Sequence, residues 1–171
     1  MKILLILLVC FNSFSQEQIE RFEYFDAVYD SVGTHKVEYY LTTAMIEKDR
    51  SLKSRAFRVF NGFRTSDYTN TGFDRGHLAP ADTFSFSDSA YYDTYSLANV
   101  VPMKPSLNRQ AWKYLEFYEK RIALVYGCIN IEIMVEYSDT IVGRLTIPKT
   151  FTKRLNTCAG ETIGTFKFDN L

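Results

Sequence analysis

The chain has 171 residues, 46% of them hydrophobic and 16% aromatic, which suits one packed domain and excludes an intrinsically disordered protein. Lys plus Arg and Asp plus Glu both number 20, so the molecule is not a generally basic polyanion binder. Any affinity for nucleic acid has to be local.

Residues 1–15 stand apart. Lys2 precedes an apolar run over 3–11, followed by Asn12, Ser13, Phe14 and Ser15. A positive start, a brief apolar stretch and small residues describe a secretory signal peptide, with cleavage expected after Ser15 and a single domain over 16–171. The run is shorter than the roughly 20 apolar residues that span a bilayer, so no membrane contact is expected of the mature chain. Val9, ahead of Cys10, is bulkier than a lipidation site wants. The expected location is secreted or periplasmic. Removing the leader takes away Lys2 and no acid, which moves the net charge from 0 to −1. It also leaves two cysteines, Cys128 and Cys158, which either pair in an oxidising compartment or stay as separate buried thiols.

Residues 16–27 alternate acids with Ile19, Phe22, Tyr24 and Phe25 and read as an irregular lead-in. Turn chemistry surrounds Gly33, and 37–45, rich in Tyr, Thr and Val, reads as a strand. Lys48, Arg50, Lys53, Arg55, Arg58 and Arg64 then crowd one connection, either tracking a phosphate backbone or forming a solvated face. Residues 56–60 read as a short strand closed by the Asn61-Gly62 turn, and 78–82 as extended around Pro80. Ser87 is the expected N-cap of a helix over 88–95. An apolar strand over 97–103 carries Asn99. A helix over 106–121 follows, with Leu107, Ala111, Tyr114, Leu115 and Tyr118 as its apolar face. Strands are expected within 122–135, interrupted at Gly127, and over 140–147 and 163–168. Strands that bracket two helices, without alternating with them, predict an α+β fold with a mainly antiparallel sheet.

His77 is the first candidate for chemistry, in the segment Gly72-Phe73-Asp74-Arg75-Gly76-His77-Leu78-Ala79-Pro80. A lone histidine is more often structural, but Gly76 frees the backbone beside this one and Arg75 adds a permanent cation. That cation disfavours imidazolium, so an exposed, neutral His77 able to take a proton from water is expected. His35 reads as an exposed turn residue. Two histidines and no close cysteine pair are too few ligands for zinc. Magnesium asks for less, since it takes oxygen ligands and keeps several waters. Asn108, in the first turn of the 106–121 helix, can supply one such oxygen, or can simply bond the helix start. Glu116 is eight residues on, roughly 12 Å of helical rise, so it does not share direct coordination with Asn108 but can hold a water. Trp112 reads as core. Asn99 either satisfies buried backbone or faces the site.

The run Asp74-Arg75-Gly76-His77 resembles the signature of the DNA/RNA non-specific endonucleases. Asn99, Pro102, Asn108, Trp112, Leu115 and Glu116 follow in that family's order and spacing. The likeness is specific over 72–116 and weaker at 126–127 and 147–149. It implies a metal-dependent nuclease with a central antiparallel sheet flanked by helices and a strand-strand-helix (ββα) finger carrying the site. It implies His77 as general base, Asn108 as the one direct protein ligand of a magnesium ion (manganese substituting), and Glu116 orienting a metal-bound water. Arg75 and Asn99 would support the site and the phosphate. The implied partner is DNA and/or RNA, held by its backbone with little base reading. The family's arginine one turn after the glutamate is Lys120 here, with Arg121 beside it; lysine keeps the charge and loses the bidentate fork. Two readings compete: a catalytically silent nucleic-acid-binding protein of the same fold, and a phosphodiesterase for small substrates.

Overall fold

The computed structural model describes residues 16–48 and 50–171, and the expected leader over 1–15 lies outside them. Six antiparallel strands form the main sheet: β1 (Gln18–Arg21), β2 (Phe25–Tyr29), β3 (Thr34–Thr42), β6 (Cys128–Val142), β7 (Leu145–Thr157) and β8 (Thr162–Asp169), neighbours in that order. Burial alternates along the central strands. Ile129, Ile131, Ile133 and Val135 of β6 face the core, while Asn130 and Glu132 face solvent. A sheet with one face packed and one wet reads in this way, and the expected antiparallel α+β architecture is observed.

The second sheet is small and carries His77. Strand β4 (Asp74–His77) pairs antiparallel with β5 (Val100–Met103), His77 opposite Val100 and Asp74 opposite Met103. A side chain at Gly76 would put its Cβ 2.6 Å from that of Met103, so only glycine lets these strands lie this close to the packed methionine. From β5 the chain enters a wide π turn over Leu107–Trp112 and continues as α3 (Lys113–Tyr126). Two shorter helices complete the layer, α1 (Thr43–Glu47) and α2 (Asp88–Thr94), the latter capped by Ser87 as expected. Among the described residues no helix is long and apolar enough to cross a membrane.

Several expected elements differ. The lead-in contains β1 and β2; Ile19 on the edge strand β1 is 54% exposed, so this strand is held by backbone pairing and carries little apolar alternation. The segment 56–60 is not a strand: it contributes single bridges, Arg58 with Ser96 and Phe60 with Phe63 across the Asn61-Gly62 turn. The 97–103 strand begins as a 3₁₀ turn over Leu97–Asn99, and 81–84 is likewise 3₁₀ and not extended. The helix runs to Tyr126, so 122–126 is helical despite its β-branched residues. Ile122 and Ala123 are buried there, and packing overrides propensity. Gly127, at φ 79°, ends it by donating its N–H to the Ala123 carbonyl at 2.8 Å.

Of the two readings for the cysteines, pairing is the one observed. Cys128, opening β6, is bonded to Cys158, just beyond β7, with Cα atoms 5.6 Å apart.

Candidate active site

Period two along β4 puts Arg75 and His77 on one side of the ribbon. The His77 ring packs 5.2 Å from the Phe57 ring centroid and edge-on at 5.1 Å to Tyr95. The Arg75 guanidinium lies 5.4 Å above the same Phe57 ring. His77 is therefore half-buried and not exposed as expected. Burial pushes its pKa down to about 4, so the ring is neutral, but desolvation is the cause and not the neighbouring arginine. Its Nε2 is enclosed and, among the described residues, finds no hydrogen-bond partner.

Asp74, at the other end of β4, organises the facing turn. It accepts Nε and Nη2 of Arg109 at 2.9 and 2.7 Å and Nδ2 of Asn108 at 3.0 Å. The Arg109 bonds come first in holding the Asp74 carboxyl below its ordinary range. An ionised carboxylate only accepts, so the Asn108 amide is fixed in orientation: its nitrogen goes to Asp74, and Oδ1 is its acceptor end.

The π turn decides which residues share a side of the helix. An ordinary helix would leave positions 108 and 116 about 80° apart around its axis. The wider winding narrows that angle, and His77, Asn108 and Glu116 line one cleft of about 280 Å³ with Pro80, Ala81, Asp82, Arg109 and Lys113. The same winding displaces the expected apolar stripe. Tyr114 and Tyr118 are 76% and 49% exposed, and the inward row is Leu107, Trp112, Leu115, Glu119 and Ile122.

Beneath the cleft, Trp112 donates Nε1 to the His77 carbonyl at 3.2 Å, and the Lys153 ammonium sits 4.0 Å over its ring. Lys153 pairs with Glu119 at 2.7 Å, both side chains wholly buried, and the Tyr39 hydroxyl donates to the other Glu119 oxygen at 2.6 Å. Above this network, burial raises the Glu116 carboxyl to about 7; Glu119 and Asp82 push the same way, while Lys153 and Trp112 oppose. A carboxyl raised by folding binds its proton more tightly in the native state, so ionising it destabilises that state, beginning above its ordinary range and complete above about pH 7. In metal-free buffer, Glu116→Gln should therefore melt a few degrees above the parent at pH 8 and show no advantage at pH 4.5. Equal melting points at both pH values would remove that account of Glu116. The His77 contribution is common to both proteins and cancels in the comparison.

The other expected site residues sit apart from the cleft. Asn99 is fully buried, with Oδ1 accepting the Ala79 N–H at 2.7 Å and Nδ2 donating to the carbonyls of Ala79 (2.8 Å) and Thr94 (3.0 Å). It fixes the backbone two residues after His77 and does not line the cleft. Arg75 is exposed and covers the Phe57 ring without lining the cleft. Lys120 is engaged by the Asp82 carboxylate at 2.6 Å, and Arg121 lies 5.9 Å from the Phe117 ring. Much of the basic connection is structural: Arg50 bonds the Ser85 carbonyl and Asp88, and Arg58 pairs with Asp93 and covers the Tyr92 ring. His35 is on β3, not in an exposed turn, with Nε2 2.9 Å from Asp30.

Sequence reasoning gave no role to Asp74, Arg109, Lys113 or the buried Glu119–Lys153 pair. Asp74 stands inside the recognised signature and Arg109 beside Asn108, so their positions were visible. Their pairing, 35 residues apart in sequence, was not. For a metal, the donors fit a hard cation: the amide oxygen of Asn108 and the carboxylates of Glu116 and Asp82 are oxygen ligands. Among the described residues no three His, Cys, Asp or Glu side chains gather, so the protein would supply few of an ion's ligands.

The model of the DNA/RNA non-specific endonuclease family matches residues 6–162. Mitochondrial endonuclease G of Bos taurus is 46% identical over 66 residues, 39% of this chain and 22% of that protein. Mitochondrial nuclease 1 of Schizosaccharomyces pombe is 33% identical over 87 residues, 50% of this chain and 24% of that one. These matches thus span under a quarter of the relatives' length. Among solved structures, an EndoG/EndoGI complex, described as showing the mechanism of EndoG inhibition, shares the fold with TM-score 0.71 and 19% identity over 90% of this chain and 74% of that one. The relatives are mitochondrial nucleases, which overturns the secreted or periplasmic location expected from residues 1–15. An N-terminal composition that suits export does not by itself fix a compartment.

Proposed function

The chain belongs to the DNA/RNA non-specific endonuclease family, and we propose that it hydrolyses phosphodiester bonds of DNA and/or RNA with little base selectivity, using His77 as general base and a magnesium ion held by Asn108. One observation carries this reading: His77 and Asn108, on separate elements of the finger, line a single cleft together with Glu116.

His77 is neutral across the working range, so it can accept a proton from water. The aromatic packing of Phe57 and Tyr95 fixes its ring, and the Trp112 bond fixes its carbonyl. Asn108, oriented by Asp74, offers its amide oxygen to the cation. When bound, magnesium would stabilise negative charge developing on the phosphate and the leaving oxygen. Glu116 would accept a hydrogen bond from water in the cleft and so direct it. Contacts to phosphate carry no sequence information, which fits a substrate held by its backbone.

Plasmid digestion tests the reading. Supercoiled DNA should be nicked and degraded with magnesium, or with manganese in its place, and left intact with EDTA. Retention of the DNA without cutting in either metal would identify a silent binding protein. Hydrolysis of dinucleotides but not of plasmid or long RNA would identify a small-substrate phosphodiesterase.

A further inference from the structure

The cleft holds two cations that the proposed hydrolysis does not use. Arg109 and Lys113 are four residues apart, on neighbouring turns of the helix and on the side that faces the cleft. Two of the five N–H donors of Arg109 are committed to Asp74, which lies behind it with a 19% exposed side chain; the Arg109 side chain is 70% exposed. Its rotamer is thus already fixed, and an incoming phosphate need order little more. Lys120, at the position where the family resemblance led us to expect an arginine, is 14% exposed and engaged by the carboxylate and carbonyl of Asp82. The fork missing there is present on Arg109, which lines the cleft.

We propose that Arg109 and Lys113 form a subsite for the phosphate next to the one being cleaved, so that the cleft is matched to a chain of phosphodiesters and not to an isolated diester. This rests on the hydrolytic reading above. A single diester can reach His77 and Asn108 without touching the outer wall. A polymer places a second phosphate against that wall, where the guanidinium offers paired donors and Lys113 adds a point charge.

Two measurements decide it. The first is binding of a fluorescent 20-base-pair duplex in EDTA as a function of salt, in a His77→Ala background. Arg109→Gln keeps an amide donor for Asp74 while removing the charge, and Lys113→Gln changes an exposed side chain. Each should lower the slope of log affinity against log salt by about 0.9, and the pair by about 1.8. Arg109→Lys should restore the parent slope. An unchanged slope overturns the subsite, and Lys113→Gln alone carries the same decision should the double variant not fold. The second is turnover with His77 intact. Lys113→Gln, which leaves the Asp74–Arg109 pair and Asn108 untouched, should lose at least about tenfold in kcat/KM on oligonucleotides, the scale of a lost charge-assisted hydrogen bond. Its rate on bis(4-nitrophenyl) phosphate should stay within about twofold. Equal losses on both substrates would mean that this cation grips the scissile phosphate itself, which also overturns the subsite. Parent protein that cuts neither substrate would remove the hydrolytic reading, and the salt slope would still decide the subsite.

Discussion

Replacing His77 by alanine should lower kcat for phosphodiester hydrolysis by about 10²–10⁴-fold, the range contributed by a positioned general base. The fold should survive the change, since the ring is half-buried at the edge of the finger and, among the described residues, its Nε2 holds no partner that would be orphaned. Alanine leaves space of about the size of the lost ring beside Phe57 and Tyr95, which still pack on each other at 5.2 Å. Free imidazole added in solution should accordingly recover part of the rate. Because burial holds His77 at about 4, the parent rate should not fall from imidazole protonation until the pH drops well below 6. Steady-state kinetics on plasmid or oligonucleotide, with thermal melts alongside, test this. Full activity in the alanine variant would move the base elsewhere.

The largest stability effect is expected at Lys153. Its ammonium and the Glu119 carboxylate are both inaccessible to water, and each supplies the other's counter-charge. Lys153→Met strands a carboxylate that keeps the Tyr39 hydroxyl but no counter-charge from Lys153, and removes the cation above Trp112. Loss of one member of a buried pair costs about 3–5 kcal/mol. For a chain of this size that corresponds to a fall of about 6–20 °C in Tm. Replacing both members, Lys153→Met with Glu119→Leu, should recover most of the loss, because the penalty comes from an uncompensated charge more than from the missing attraction. Urea unfolding of the two single variants and the double measures the coupling. A single variant within 1 kcal/mol of the parent would contradict the buried-pair account.

Much of the architecture was legible in the chain because it depends on local pattern. The Ser87 cap, the α2 helix and the alternating core strands are set by neighbours within a few residues. His77, Asn108 and Glu116 were found through the resemblance, and they meet in one cleft. Two kinds of feature were hidden. One was helical phase: the rule of three and four residues per turn put Ala111, Tyr114 and Tyr118 inside, and the π turn turned them out. The other was long-range pairing. Nothing near Asp74 announces that Arg109 completes it, and nothing in the β7 sequence marks Lys153, flanked by Thr152 and Arg154, as a wholly enclosed cation. Asn99 shows the converse: a polar residue in an apolar strand was visible, but only its bonds to Ala79 and Thr94 show that it braces the backbone.

The wide turn has a consequence for how this helix can change. Residues before Trp112 and after it keep different rotational time, and the extra residue in the turn is what reconciles them. Losing any one residue between positions 109 and 111 would restore regular winding and could leave Trp112 seated over the sheet. Seven residues of regular winding would set Asn108 about 20° from Glu116 around the axis, so the two would still share a side. The product would keep its ligand position beside Glu116 while the wall from Arg109 to Lys113 is one residue shorter.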